Sequence, residues 1–432
     1  MGSKTALENK AKSSFECTSS GASTTPAVKW TIIGLLSLGM IIAYASRSNI
    51  SVALSIPAFV KSFQLSDTDR GTLNSAFFWA YALFQIPAGW LVDRYGVRIP
   101  YALSFLFWCL TSAATSFART VPQLLTLRML LGAGEATVAP ASYKWIRYNF
   151  EEKRRGLAVG LYMAGTKIGP AIGAPLAAWL IVRYDWRFMF LAIGLGGLLW
   201  LIPWMLLVKD EAEKPTEQAP NAAATNPVPF SRIMMSPVTW GTIITTFCYM
   251  YFVYFCMTWM PAYFVEQQHL SLSKMGLYTF FSFGGMAIVA TIAGWAADQM
   301  IARGGNPVTV RKWFTIAGFV VACTELIGAH SSSVNMALLF AVISLSGLGL
   351  ATANYWALTQ TLIPAASIGR FSGIQNCAAS IAGIVAPILT GWLKQTTGSY
   401  KAPMEAIWIF LIIGVLSYLV LVREKYAPEA RR

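Results

Sequence analysis

Apolar stretches of about 20 residues, enough to cross a hydrocarbon core, recur along the chain between short polar segments. "LLSLGMIIAYA" and "AIGLGGLLWLIPWMLLV" do not alternate apolar and polar residues, as barrel strands do over about ten positions. They predict helices, the other backbone that satisfies its own hydrogen bonds in lipid. Hydropathy and turn signals give twelve spans, near 30–56, 72–92, 100–118, 121–142, 156–180, 188–208, 237–263, 275–297, 313–330, 335–360, 372–393 and 404–422. The widest interruption, "KDEAEKPTEQAPNAAATNPVPFSR", is rich in Pro, Ala and charge and reads as a linker. The expected organisation is a tail (1–29), a six-helix half (30–208), a linker (209–236), a second six-helix half (237–422) and a short tail (423–432).

Composition agrees with an all-α integral membrane protein. The 432 residues are 56% hydrophobic and 12% charged, against about 25% charged in soluble domains. Mean hydropathy is +0.53. The formal charge of +14 raises the question of nucleic acid, but the basic residues lie in clusters between apolar spans. That is the pattern of cytoplasmic loops facing a lipid bilayer, so nucleic acid is not an expected partner. With the N-terminus inside, inner segments hold 22 of the 33 lysines and arginines and outer loops hold 8. Both termini are therefore expected in the cytoplasm, in a multi-pass protein whose modest outer loops suit a bacterial inner membrane. Residues 1–28 have no apolar core of a cleavable signal. The six cysteines have no metal-ligand spacing and the two histidines lie near span ends, so neither metal nor cofactor is expected.

The chain echoes itself. Span two ends "GWLVDRYGVR" (Gly89 to Arg98) and span eight ends "GWAADQMIARGGNPVTVRK" (Gly294 to Lys312), with Gly, Trp and Asp recurring at an offset of 205 residues. Duplicated halves around a midplane site are a transporter architecture. Gly89 permits close helix packing, Asp93 can face a positive helix N-terminus, and Arg94 and Arg98 hold the loop inside. With Gly96, and Asp298 in the second copy, this stretch resembles the loop signature of the major facilitator superfamily, where it concerns gating.

Charged residues inside spans cost about 2.5–3.5 kcal/mol at the centre and normally face a cavity or a partner. Arg47 lies in span one, Arg128 and Glu135 in span four, and Lys167 in span five. Glu325 in span nine sits near a predicted outer end, where exposure at the interface is expected. Arg128 and Glu135 are seven residues apart, on one helix face about 10 Å apart along the axis. A carboxyl balanced between desolvation and a neighbouring Arg can load and release a proton, although a permanent ion pair that fixes helix packing would use the same residues. Arg47 offers a fork for a carboxylate, or else pairs with Glu135. The N-terminal half is expected to line a net-positive cavity suited to an anion.

"YASRSNISVA" in span one, R-x6-E in span four, "TWMPAY" in span seven and "SGIQN" followed by "AGIVAP" in span eleven together resemble the anion:cation symporter family. That family includes proton-coupled carriers of hexonates, hexuronates and aldarates. The resemblance implies symport of a small organic anion with protons by alternating access, and function as a monomer. It implies that Arg47 holds the substrate carboxylate, Glu135 carries the proton and Arg128 modulates it. Tyr81 and Asn376 are implied as substrate contacts, with Asn354 and Trp356 as candidates where span ten lines the cavity. Two departures stand out. Ser46 occupies a position where sugar-acid relatives commonly have Asp, which implies fewer protons per anion. Span five has Thr166 where Gln is common, and adds Lys167, a candidate third positive group for the substrate or a partner of Glu135. An enzyme would need a nucleophile or cofactor constellation, and none is evident. A transport-like anion sensor, or an uncoupled or exchange carrier of the same fold, remains as the alternative.

Overall fold

The computed structural model describes residues 25–209, 229–364 and 367–428. Most of the expected N-terminal tail, with Cys17, most of the expected linker and residues 429–432 of the expected C-terminal tail lie outside the described residues. The spans are α1 (Pro26–Leu54), α2 (Asp67–Tyr95), α3 (Arg98–Ala114), α4 (Val121–Glu135, resuming as Val138–Asn149), α5 (Glu152–Arg183) and α6 (Trp186–Gly197, continued to Leu207). The second half has α7 (Pro237–Thr258), α8 (Leu272–Ala302), α9 (Pro307–Ala322, then Glu325–His330), α10 (Val334–Leu362), α11 (Ile368–Thr397) and α12 (Lys401–Val420). Among the described residues eleven helices are long and apolar enough to cross a membrane. The twelfth, α4, is interrupted just after its glutamate, so neither piece is long enough by itself.

Local signals set the ends. Ser66 and Asp69 cap α2 reciprocally, Asp185 caps α6 and Asn306 caps α9. Gly96, at φ +82°, lets the chain turn sharply from α2 into α3.

Packing repeats across the halves. The α1–α5 contact is matched by α7–α11, α2–α4 by α8–α10, and α3–α6 by α9–α12. The halves meet where α2 packs on α11 and α5 on α8. With an even number of spans, the start of α1 and the end of α12 lie at one end of the bundle. At the opposite end the halves touch closely. A Cβ on Gly71 would strike the Pro387 carbonyl, one on Gly391 would strike the Asp67 carbonyl, and one on Gly276 would lie 2.8 Å from Pro175 Cα. Gly71 and Gly276 are separated by the same 205 residues as the sequence echo.

A closed ring of alternating charge caps this sealed end. Arg70 reaches Asp67 at 2.8 Å and Glu266 at 2.6 Å, and Lys394 reaches Asp67 at 2.8 Å and Glu266 at 2.7 Å. Two of the four links cross between the halves. The Thr68 N–H also donates across them to Gln395 Oε1 (3.0 Å), and the Tyr400 hydroxyl donates to Glu266 (2.8 Å).

Towards the termini the halves part. Cβ atoms on Gly89, Gly156, Gly160 and Gly373, on helices of the interface, would meet nothing within 4 Å. The close packing expected of Gly89 is therefore absent. Asp93 is exposed, 3.4 Å from Lys144 Nζ, and caps no helix among the described residues. In the second copy Asp298 pairs with Arg311 (3.2 Å). Arg98 donates to the Met205 carbonyl (2.7 Å), and Arg94 lies near the rings of Trp90 and Tyr95.

Candidate functional site

The site begins with the seating of α1. Gly169 and Gly173 of α5 bring the two backbones together: added Cβ atoms would lie 2.5 Å from Tyr44 Cβ and 2.8 Å from Ala45 Cα. On α4, a Cβ at Gly132 would strike the Phe77 carbonyl, so α4 presses equally closely on α2. These contacts leave Arg47 between α1, α2 and α4. Its guanidinium carbon lies 4.3, 4.7 and 4.6 Å from the ring centroids of Tyr44, Phe77 and Tyr81. Phe77 and Tyr81, one turn apart on α2, stack at 5.5 Å.

The Arg47 Nε–H donates to Glu135 Oε2 at 2.6 Å. Both side chains are buried, and Glu135 Oε1 has no hydrogen-bond partner. Arg128 shares the helix with Glu135 but is not its ion-pair partner. It donates to the Arg47 carbonyl at 3.5 Å, lies 5.4 Å from the Phe77 ring, and its buried Nε is unpartnered. The pairing follows depth: α1 is held so that Arg47 sits level with the break in α4, whereas Arg128 is two turns away.

Lys167 does not pair with Glu135. It is partly buried, has no hydrogen bond or ion pair among the described residues, and lies with Nζ 5.9 Å from the Tyr249 ring centroid, facing the other half. Three cations and one carboxylate thus gather in the N-terminal half, and a charge buried without a partner is costly in low dielectric.

The second half supplies a neutral polar wall. The Tyr249 and Thr352 hydroxyls are 2.7 Å apart, and Tyr249 packs on Tyr355 (4.7 Å). Gln375 Nε2 donates to Thr246 and Thr359 (2.8 and 3.2 Å). Asn376 donates to Gln85 Oε1 at 3.0 Å, bridging α11 and α2 between the halves. Trp356 is partly buried beside Tyr355. Asn354 lies on another side of α10, with Ala351 and Gly347, which meet Gly318 and Val321 of α9, and its amide donates to Leu350 of its own helix (2.9 Å). Of the span-seven tyrosines, Tyr249 faces Lys167, Tyr254 meets Phe78 across the halves (4.4 Å), and Tyr251 packs on Phe410 of α12.

Glu325 corrects an expectation. It is 3% exposed rather than interfacial, because α9 breaks just before it and turns it onto α10, where the Ser344 hydroxyl donates to it at 2.5 Å. The sequence reading missed Tyr44, Phe77, Gln85 and Gln375. Tyr44 was within reach, because the i, i+3 spacing to Arg47 puts both on one helix face. Gln85 was not, since only the meeting of α2 with α11 brings it to Asn376.

A model of the Major Facilitator Superfamily matches residues 36–387. The "Probable L-galactonate transporter" of Escherichia coli (strain K12) is 30% identical, over 92% of this chain and 90% of its own. The "Hexuronate transporter" of Bacillus subtilis (strain 168) is 29% identical, over 90% and 92%. The "D-galactonate transporter" of Escherichia coli O6:H1 is 26% identical, over 90% and 94%. Among solved structures, a bacterial homolog of the human lysosomal transporter Spinster, inward-facing and unoccupied, superposes with a TM-score of 0.79 at 17% identity, over 93% of this chain and 98% of that one.

Proposed function

Since the chain belongs to the Major Facilitator Superfamily, a superfamily of transporters and not of enzymes, we propose that it is a proton-coupled symporter of an organic anion, a sugar acid such as a hexonate, hexuronate or aldarate, working by alternating access. The similar chains named for galactonate and hexuronate transport support the substrate class. It works as a monomer in a bacterial inner membrane, with both termini in the cytoplasm. The arrangement sealed at the end opposite the termini is then the inward-open state.

One observation carries the coupling: Glu135 occupies Arg47 at 2.6 Å. A substrate carboxylate and Glu135 compete for the same guanidinium. Protonation of Glu135 weakens its hold and frees Arg47 for the anion, and anion binding in turn favours the protonated form, so the two affinities rise together. The unpartnered Nε of Arg128 and the ring of Tyr81 border the place the anion takes. Lys167, Trp356 and Asn376 extend the binding surface towards the other half. The motif around Gly89, Asp93, Arg94, Gly96, Arg98 and Asp298 serves the other closure, when the parted end comes together.

The test is uptake of sugar acids into proteoliposomes under an imposed proton gradient, with Glu135→Gln as the comparison. Wild type is expected to accumulate anion above equilibrium. The variant is expected to exchange anion without accumulating it. Accumulation by Glu135→Gln equal to wild type would overturn the role given to Glu135.

A further inference from the structure

Resting on the organic-anion reading, we infer that the substrate is a dianion with two separated acid groups, and that Lys167 holds the second of them. Glu135 is the one carboxylate among the four charged groups, and it is committed to Arg47. Arg128 and Lys167 remain, neither with a carboxylate partner among the described residues. Two cations in excess within a low-dielectric bundle call for two negative charges.

Lys167 cannot snorkel out to the membrane surface. It is the sixteenth of the 32 residues of α5, which places it about 22 Å from the nearer end of the helix, beyond the reach of its stem. Nor does it point to lipid, because its ammonium faces Tyr249 of the opposite half. The ring face attracts a cation but does not neutralise it.

The two poles are distinct. Gly169 of α5 touches Tyr44, whose ring lies 4.3 Å from the Arg47 guanidinium carbon. Lys167, two residues earlier, leaves α5 roughly 200° around the helix from that contact. It therefore points away from α1, towards the hydroxyl pair of Tyr249 and Thr352. A monoanion that engages the aromatic-boxed Arg47 leaves Lys167 bare. A dianion engages both and, with Glu135 protonated and released from Arg47, offsets two of the three cations where a monoanion offsets one.

The test is the binding of matched acids to the full-length purified protein, by calorimetry: D-gluconate against D-glucarate, and succinamate against succinate. The di-acid is expected to bind more tightly in wild type. A charge-assisted contact is worth about 10- to 100-fold, and Lys167→Gln should reduce the di-acid preference by about that factor, towards parity. Lys167→Arg should keep the preference. A purely structural lysine would weaken both members of a pair alike and leave their ratio unchanged. That result, or equal binding of mono- and di-acid by wild type, overturns the inference while leaving the organic-anion reading in place. Failure of every acid to bind overturns both.

Discussion

At the scale of single residues, the site turns on which arginine holds the glutamate. The spacing of Arg128 and Glu135 was legible in the sequence and suggested that the two act together. The pairing was not legible, since it depends on how α5 glycines seat α1 and how α4 presses on α2. Arg47 uses Nε at 2.6 Å from Glu135 within a box of three rings. A lysine keeps the charge but loses both the fork and the planar stacking. Arg47→Lys is accordingly expected to weaken anion binding by about tenfold or more. Binding isotherms of the two proteins check this, and unchanged affinity would contradict it. Gly71 gives a second prediction. A Cβ there meets the Pro387 carbonyl, so Gly71→Ala should destabilise the sealed state by about 1–3 kcal/mol. The readout is increased labelling of a cysteine placed at buried Thr390 by an impermeant thiol reagent added at the sealed face.

At the scale of elements, the sealed end is closed by helix ends rather than by loops. Asp67 and Arg70 open α2, Lys394 closes α11, and Glu266 lies in the short π-helical turn Tyr263–Gln267 after α7. Nothing in the sequence marks these four as partners, for they come from segments up to 327 residues apart. Arg70→Gln breaks one cross-half link and leaves Glu266 to Lys394 and Tyr400 of its own half, so it should raise labelling at the sealed face. The ring should also ignore mild acid. Burial raises the pKa of Glu266, but Arg70 and Lys394 together outweigh it and hold the carboxyl below its ordinary 4.5. A depressed carboxylate stabilises the closed ring above its ordinary pKa and loses that contribution only as pH falls through the lowered one. Labelling at the sealed face of the substrate-free protein is therefore expected to be flat from about pH 5 to 8. A rise within that window would show that a different group latches this end.

At the scale of the whole molecule, much was legible. Hydropathy located the spans, and the repeated Gly, Trp and Asp announced two related halves, whose helix contacts recur in matching pairs. The breaks in α4 and α9 were not legible, because both fall inside apolar runs with no Pro or Gly at the break itself. Those breaks decide where Glu135 and Glu325 sit. The parting of the halves towards the termini was also invisible, since an interface glycine reads the same whether its helix is packed or open. Orientation rests on the basic loops, and it predicts that cysteines placed near either terminus react with impermeant reagents only from the cytoplasmic side.

The central claim is that anion and proton travel together through the competition for Arg47. Proton movement driven by the anion tests it most directly. Protein-containing vesicles, with no initial pH gradient and a pH-sensitive dye inside, receive an inward gradient of anion. Wild type is expected to acidify the lumen as anion enters, and Glu135→Gln is expected to admit or exchange anion with no acidification. Anion entry into wild-type vesicles without acidification, or equal acidification by Glu135→Gln, would contradict the account.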